Sequence, residues 1–143
     1  MAIRTAEAHW EGNLQSGKGT MSLGSGAFEG AYSFSSRFED GKGTNPEELI
    51  GAAHAGCYSM ALSAELGKLG LTPQSIHTRA RVTLGKIGEN TRITSIHLET
   101  EARVAGITPE KFHEIAEATK TGCPVSAALA SVPSITLEAR LLA

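Results

Sequence analysis

The sequence predicts an α+β fold: antiparallel strands packed around one long central helix. Three observations carry this. Alternating apolar and polar residues mark several short strands bounded by glycine-rich turns. One stretch, Thr44 to Gly70, reads as a helix with both ends signalled. The element order is three strands, helix, two strands, two helices, strand. Such hairpins with helices gathered between them differ from the strand–helix alternation of a parallel α/β sheet.

The length of 143 residues suits a single domain, 1–143, with one core. Apolar residues are 41% and charged residues 20%, the balance of a globular protein rather than a disordered chain. A net charge of −2 with no basic run gives no footing for nucleic acid. The N-terminal MAIRTAEAHW lacks the apolar core of a signal peptide, so a cytoplasmic location is expected. In that compartment two cysteines do not form a permanent structural disulfide.

Residues 3–10 alternate, with Ala6, Ala8 and Trp10 on one side. Ser16-Gly17-Lys18-Gly19 turns into a second strand near 20–23, and a glycine-rich loop spans 24–30. A third strand is expected at 31–38, with Tyr32, Phe34, Ser36 and Phe38 on one face and Arg37 on the other. The central helix follows. Asn45 is its expected N-cap, Pro46 its first residue, and Glu48 reaches back to the cap. Gly67 and Gly70 offer stops, with Lys68 placed against the dipole. The helix is apolar on nearly every face, so it should be enclosed by protein. His54, Glu65 and Lys68 interrupt it too often for a membrane span. A charged hairpin is expected from 76–84 and 93–104. Thr108-Pro109-Glu110 opens a helix with Phe112, Ile115, Ala116 and Thr119 on one stripe. Pro124 starts a short helix through Ala130, and a strand over 135–141 closes the order.

Two familiar motifs fail. Gly12 to Lys18 resembles a phosphate-binding loop, but Gly19 stands where Ser or Thr must hold Mg²⁺, and the segment joins two strands. The glycines at 24–30 do not match a dinucleotide fingerprint. No Gly-x-Ser-x-Gly and no His-x-x-x-His is present.

Cys57 lies within the central helix and Cys123 just before Pro124. Three readings stand. In the first, both are buried packing residues, since free cysteine is among the most buried types. His54 and Cys57, at i and i+3, reach toward one ion, with Cys123 a third ligand but no fourth identified. In a hydrolytic variant His54 serves as base to a cysteine. The third reading is redox chemistry: a thiolate attacks a peroxide and a second cysteine condenses with the sulfenic acid. By the dipole argument alone, Cys123 at a helix N-terminus is the more acidic thiol, and Cys57 needs a cation such as Arg37.

The run Asn45-Pro46-Glu47-Glu48-Leu49-Ile50-Gly51-Ala52-Ala53-His54-Ala55-Gly56-Cys57 closely resembles the helix motif of the OsmC/Ohr family of hydroperoxide-reducing proteins. Gly122-Cys123-Pro124-Val125-Ser126 is similar to that family's second cysteine motif. Ala8-His9-Trp10-Glu11-Gly12, Lys18-Gly19-Thr20 and Ser36-Arg37-Phe38-Glu39 resemble the OsmC branch. The resemblance covers essentially the whole chain.

What it implies is an OsmC-like, intertwined homodimer that reduces organic hydroperoxides under oxidative or osmotic stress. Cys57 would be the peroxidatic cysteine and Cys123 the resolving one, reversing the dipole ranking. The active-site arginine and glutamate map to Arg37 and Glu47, while Glu48 keeps a capping role. An external dithiol, of lipoyl type, would be the reductant, and no metal or bound cofactor is required. Glu47 and Cys57 are ten residues apart on one helix, roughly 15 Å. Either Arg37 bridges them or Glu47 serves the partner chain's site. Small residues between them, with an axis near Ala52, suit a close helix crossing. The alternative function is a non-catalytic binder of an apolar, lipid-like ligand at the dimer-interface pocket.

Overall fold

In the computed structural model, which describes residues 1–143, the chain forms two compact units, Met1–Leu49 and Ile50–Ala143. The first contains β1 (Ala6–Glu11), β2 (Lys18–Leu23) and β3 (Glu29–Tyr32), antiparallel in that order, then α1 (Phe34–Phe38). Gly19 sits in register between Trp10 and Tyr32. A Cβ there would lie 2.6 Å from the Tyr32 ring and 2.7 Å from the Trp10 ring. Glycine therefore lets the two aromatics close over the strand, 5.3 Å apart. The segment before it joins two strands, which removes the phosphate-loop reading.

The third strand does not run over 31–38 as the alternation predicts. It ends at Tyr32, and 34–38 is a helical turn. Ser33 and Ser36 form a reciprocal capping box: the Ser33 hydroxyl accepts from the Ser36 amide and the Ser36 hydroxyl from the Ser33 amide. Local side chain–backbone bonds thus outweigh a period-2 pattern of only four residues. Arg37 is consequently on a helix rather than a strand.

The long helix α2 (Pro46–Gly67) begins in the first unit and continues through the second. Asn45 caps it, accepting from the Glu48 amide at 2.8 Å. The Glu48 carboxylate accepts from the Thr44 hydroxyl instead of the cap amide. At the other end the Leu71 amide returns to the Leu66 carbonyl, with Gly70 at positive φ.

In the second unit α2 meets β4 (Ser75–Ile87), β5 (Asn90–Arg103), α3 (Pro109–Gly122), α4 (Pro124–Ala128) and β6 (Ser134–Leu141). Tyr58, Leu62 and Leu66 on α2 are fully buried with Ile96, Leu98, Phe112 and Ala116. Gly51 lets α2 approach β4 against Val82 and Ala80. The β4–β5 hairpin pairs His77 with Glu101 and Arg79 with Glu99, and opposite charges facing across a hairpin favour its pairing. The sheet is mixed rather than wholly antiparallel. β6 runs parallel to β5, because α3 and α4 carry the chain back before it enters. Within the single chain α2 is enclosed on one face only. Ala52, Ala53, Gly56 and Met60, apolar or small, remain exposed.

Candidate active site

Cys57 stands on α2 one turn after His54, half-buried, while Tyr58 beside it is fully buried. Cys123 is placed by a chain break. Pro124 cannot continue α3 and disfavours helical backbone in the residue before it, so Cys123 is extended, with φ −64 and ψ 127. It ends α3 and at once begins α4. This swings its side chain, wholly buried, toward α2. The two sulfurs lie 3.1 Å apart, and both are free thiols. Residues 66 apart in the chain have met.

The two thiols differ in acidity. Burial pushes Cys57 up, and so does its hydrogen bond with Cys123; only the Val125 amide works the other way. Burial also opposes ionisation of Cys123. There the Ser126 amide, the Cys57 thiol, the Ser126 hydroxyl and the Val125 amide together outweigh it, and the net direction is down. The amides at the start of α4 therefore do what unsatisfied helix N-terminal groups do for an anion. The dipole ranking agrees in direction.

Arg37 and Glu47 meet in the first unit. Ser36 on α1 donates to the Thr44 carbonyl at 2.7 Å, and the Asn45 amide donates to the Ser36 carbonyl at 3.1 Å. These bonds tie α1 to the start of α2. Arg37 Nη2 then donates to Glu47 Oε1 at 2.7 Å, and Nε reaches Oε1 at 3.1 Å and Oε2 at 3.3 Å. Glu47 is buried, with 7% exposure. Arg37, Trp10, Leu14, Phe34 and Phe38 line a common recess, with the guanidinium 5.4 Å from the Phe38 ring.

Sequence reasoning singled out all four residues, and the structure gathers them in two pairs. It missed the partner of His54. That ring points not at a metal or a cysteine but at Ser126, with Nε2 2.7 Å from the hydroxyl. No group of three or more His, Cys, Asp or Glu side chains converges in a way that could hold a metal ion. The two residues are 72 apart in sequence, so spacing carried no signal for the pair.

The model of OsmC-like proteins matches residues 39–138. Over 139 residues the chain is 50% identical to the peroxiredoxin OsmC of Escherichia coli K12, covering 96% of each chain. The peroxiredoxin OsmC of Shigella flexneri matches to the same extent. Among solved structures, an OsmC-like protein of unknown function from Vibrio cholerae superposes with a TM-score of 0.78 at 17% identity, covering 97% of this chain and 99% of that one. The organic hydroperoxide resistance protein OhrB of Bacillus subtilis does so at 0.69 and 20% identity, covering 96% and 98%. At those identities the two structures speak for the fold.

Proposed function

As the chain belongs to the OsmC-like protein family, we propose that it is a thiol peroxidase that reduces organic hydroperoxides to alcohols. The observation that carries this is the pair of free sulfurs, 3.1 Å apart, on α2 and at the start of α4. The name of its half-identical relatives, peroxiredoxin OsmC, supports the class. The two units act together as one domain, and the protein works in the cytoplasm as part of the response to oxidative and osmotic stress.

Cys57 is the nucleophile in this reading, being the more exposed sulfur. Its thiolate attacks the distal oxygen of the hydroperoxide. The O–O bond breaks, the alkoxide takes a proton and leaves as alcohol, and Cys57 becomes a sulfenic acid. The Cys123 thiolate then attacks the Cys57 sulfur, the S–O bond breaks, and hydroxide leaves as water once protonated. An external dithiol of lipoyl type reduces the resulting disulfide.

Because burial pushes the Cys57 thiol up, a cation must act on it during turnover. Arg37, aimed by Glu47, fills that role; its fork holds a carboxylate while still donating elsewhere. The aromatic recess beside Arg37 suits an apolar peroxide tail over bare hydrogen peroxide. The exposed small face of α2 supports a homodimer in which two such helices cross, bringing Arg37 and Glu47 to Cys57 of the same or the partner chain.

The test is thiol titration with and without one equivalent of cumene hydroperoxide. Loss of two thiols per chain, recovered by a dithiol, is expected. Cys57→Ser should abolish turnover, and Cys123→Ser should stop after one turnover with a sulfenic or over-oxidised Cys57. Full activity in Cys57→Ser would reject the peroxidase and favour the lipid-like binder, which tolerates that change.

A further inference from the structure

We propose that His54 is a positioning residue for the redox pair: its imidazole donates to the Ser126 hydroxyl, which donates to the Cys123 sulfur, so that Cys123 is held as the thiolate that attacks when the disulfide forms and leaves when it is reduced. The second half of this statement rests on the peroxidase reading above.

The argument begins with protons. His54 is fully buried, and burial lowers its basicity, so the ring is neutral and carries one N–H. Nε2 lies 2.7 Å from the Ser126 hydroxyl oxygen. Nδ1 is buried with no partner at all. If the proton sat on Nδ1, a buried donor would go unmet, the rarer defect in folded proteins. With the proton on Nε2 the unmet atom is a lone pair, and Nε2 donates to Ser126. The hydroxyl has only one proton, now free to point elsewhere. The Cys123 sulfur is the acceptor the relay assigns to it: Cys123 is the N-cap of α4 and Ser126 lies three residues on in the same helical turn, and the hydroxyl and amide of Ser126 both act in favour of the thiolate. Ser126 is itself buried, with 6% exposure, so water does not compete freely for that proton. The other titratable groups facing Cys123 are Cys57 and Tyr58, and the Tyr58 hydroxyl is turned away to the Ala116 carbonyl.

This arrangement gives the disulfide a polarity. The thiol with the lower pKa is the better leaving group in thiol–disulfide exchange. Cys123 is that thiol and is wholly buried, whereas Cys57 is partly exposed. The reductant's thiolate therefore attacks the Cys57 sulfur and forms a mixed disulfide there. The S–S bond breaks with its electron pair leaving on Cys123. The reductant's second thiolate then attacks its own half of the mixed disulfide. Cys57 is released reduced and the reductant is left as a disulfide.

The relay is read in the Cys57→Ser protein, where Cys123 is the one thiol, by the pH dependence of its alkylation. His54→Leu and Ser126→Ala should each raise the midpoint by about one unit, a tenfold loss of thiolate below it, as for one hydrogen bond to a charged group. The double variant should lose no more than either alone. His54→Gln, whose amide nitrogen reaches toward the same hydroxyl, should restore the midpoint. An unchanged midpoint in Ser126→Ala overturns the relay even where His54→Leu does not fold. So does a full His54→Leu effect in a chain already lacking the hydroxyl. In the oxidised wild type, brief reaction with glutathione and an acid quench should place the adduct on Cys57; an adduct on Cys123 contradicts the polarity. Peroxide consumption by the wild type is measured alongside. Its absence would reject the peroxidase and leave the thiolate titration to judge the relay.

Discussion

Arg37 and Glu47 form one ion pair, yet removing either end should have unequal consequences. The Glu47 side chain is 10% exposed, whereas the Arg37 side chain is 36% exposed. Arg37→Ala strands a buried carboxylate that had accepted contacts at 2.7, 3.1 and 3.3 Å from one guanidinium. Losing hydrogen bonds to a charged group costs about 1.5–3 kcal/mol. The higher cost of breaking a fully enclosed pair does not apply, because Arg37 is partly in water. Glu47→Ala leaves a guanidinium able to turn outward, so about 0–1 kcal/mol is expected, the range of solvent-screened pairs. For a chain of this size each kcal/mol moves the melting temperature by roughly 2–4 °C. Arg37→Ala should therefore melt several degrees below wild type and Glu47→Ala close to it. Peroxide reduction should fall in both, further in Arg37→Ala, with a raised Cys57 alkylation midpoint. Arg37→Lys keeps the charge but loses the fork, and should recover less than half the rate deficit. Calorimetry and stopped-flow peroxide consumption provide the two readouts. Equal melting temperatures for the two alanine variants would refute the asymmetry argument. An unchanged Cys57 midpoint in Arg37→Ala would show that the activating charge is not Arg37.

Light scattering should report a dimer of the 14.9 kDa chain at micromolar concentration, and Ala52→Leu should weaken it by about 1–3 kcal/mol through overpacking of the helix crossing; a monomer would remove the shared-site arrangement. Tyr58→Phe removes a fully buried hydroxyl that donates to the Ala116 carbonyl at 2.9 Å, and chemical denaturation should record a loss of about 1–3 kcal/mol from the unmet carbonyl. Glu48→Ala, which deletes the partner of the Thr44 hydroxyl, should leave peroxide chemistry intact and cost up to about 1 kcal/mol. His54 is held below its ordinary value of 6.5 by burial, so the unfolded chain binds its proton first as pH falls. Its contribution to stability is full above about 6.5 and is lost on acidification below it. Denaturation midpoints of His54→Gln against wild type from pH 7.5 to 5 should converge as pH drops, and parallel curves would contradict a neutral, buried ring.

The central helix was legible because its signals are local and redundant: a cap at Asn45, Pro46 in the first turn, glycines beyond the last. The two cysteines were legible as a pair only through the motifs around them, since nothing in a spacing of 66 residues announces a 3.1 Å approach. The alternation over 31–38 misled because Ser36, a member of the alternating face, instead pairs with Ser33, three residues before it, in a reciprocal cap. The parallel entry of β6 was illegible for a different reason. Its own sequence alternates equally well in either direction, and the choice is made by where α3 and α4 leave the chain. His54 looked like a ligand beside Cys57. Its partner lies on α4, and only the fold brings it there.

The parallel placement of β6 beside β5 also sets when the cysteine site can be finished as the chain is made. Synthesis proceeds from the N-terminus at about 5–20 residues per second. α2 and the β4–β5 hairpin can collapse while α3 is still emerging. α3 is then held from behind by β6, where His113 Nε2 lies 2.9 Å from the Ala139 carbonyl, and Phe112 shares a core with Ile135 and Leu137. Until residues 134–141 have left the ribosome, that support is missing. Cys123 therefore settles against Cys57 late, after both thiols have been made, and the nascent helix spends seconds with Cys57 unaccompanied. A ribosome stalled within the last strand would display Cys57 without Cys123 beside it, and that thiol should oxidise past the reversible stage.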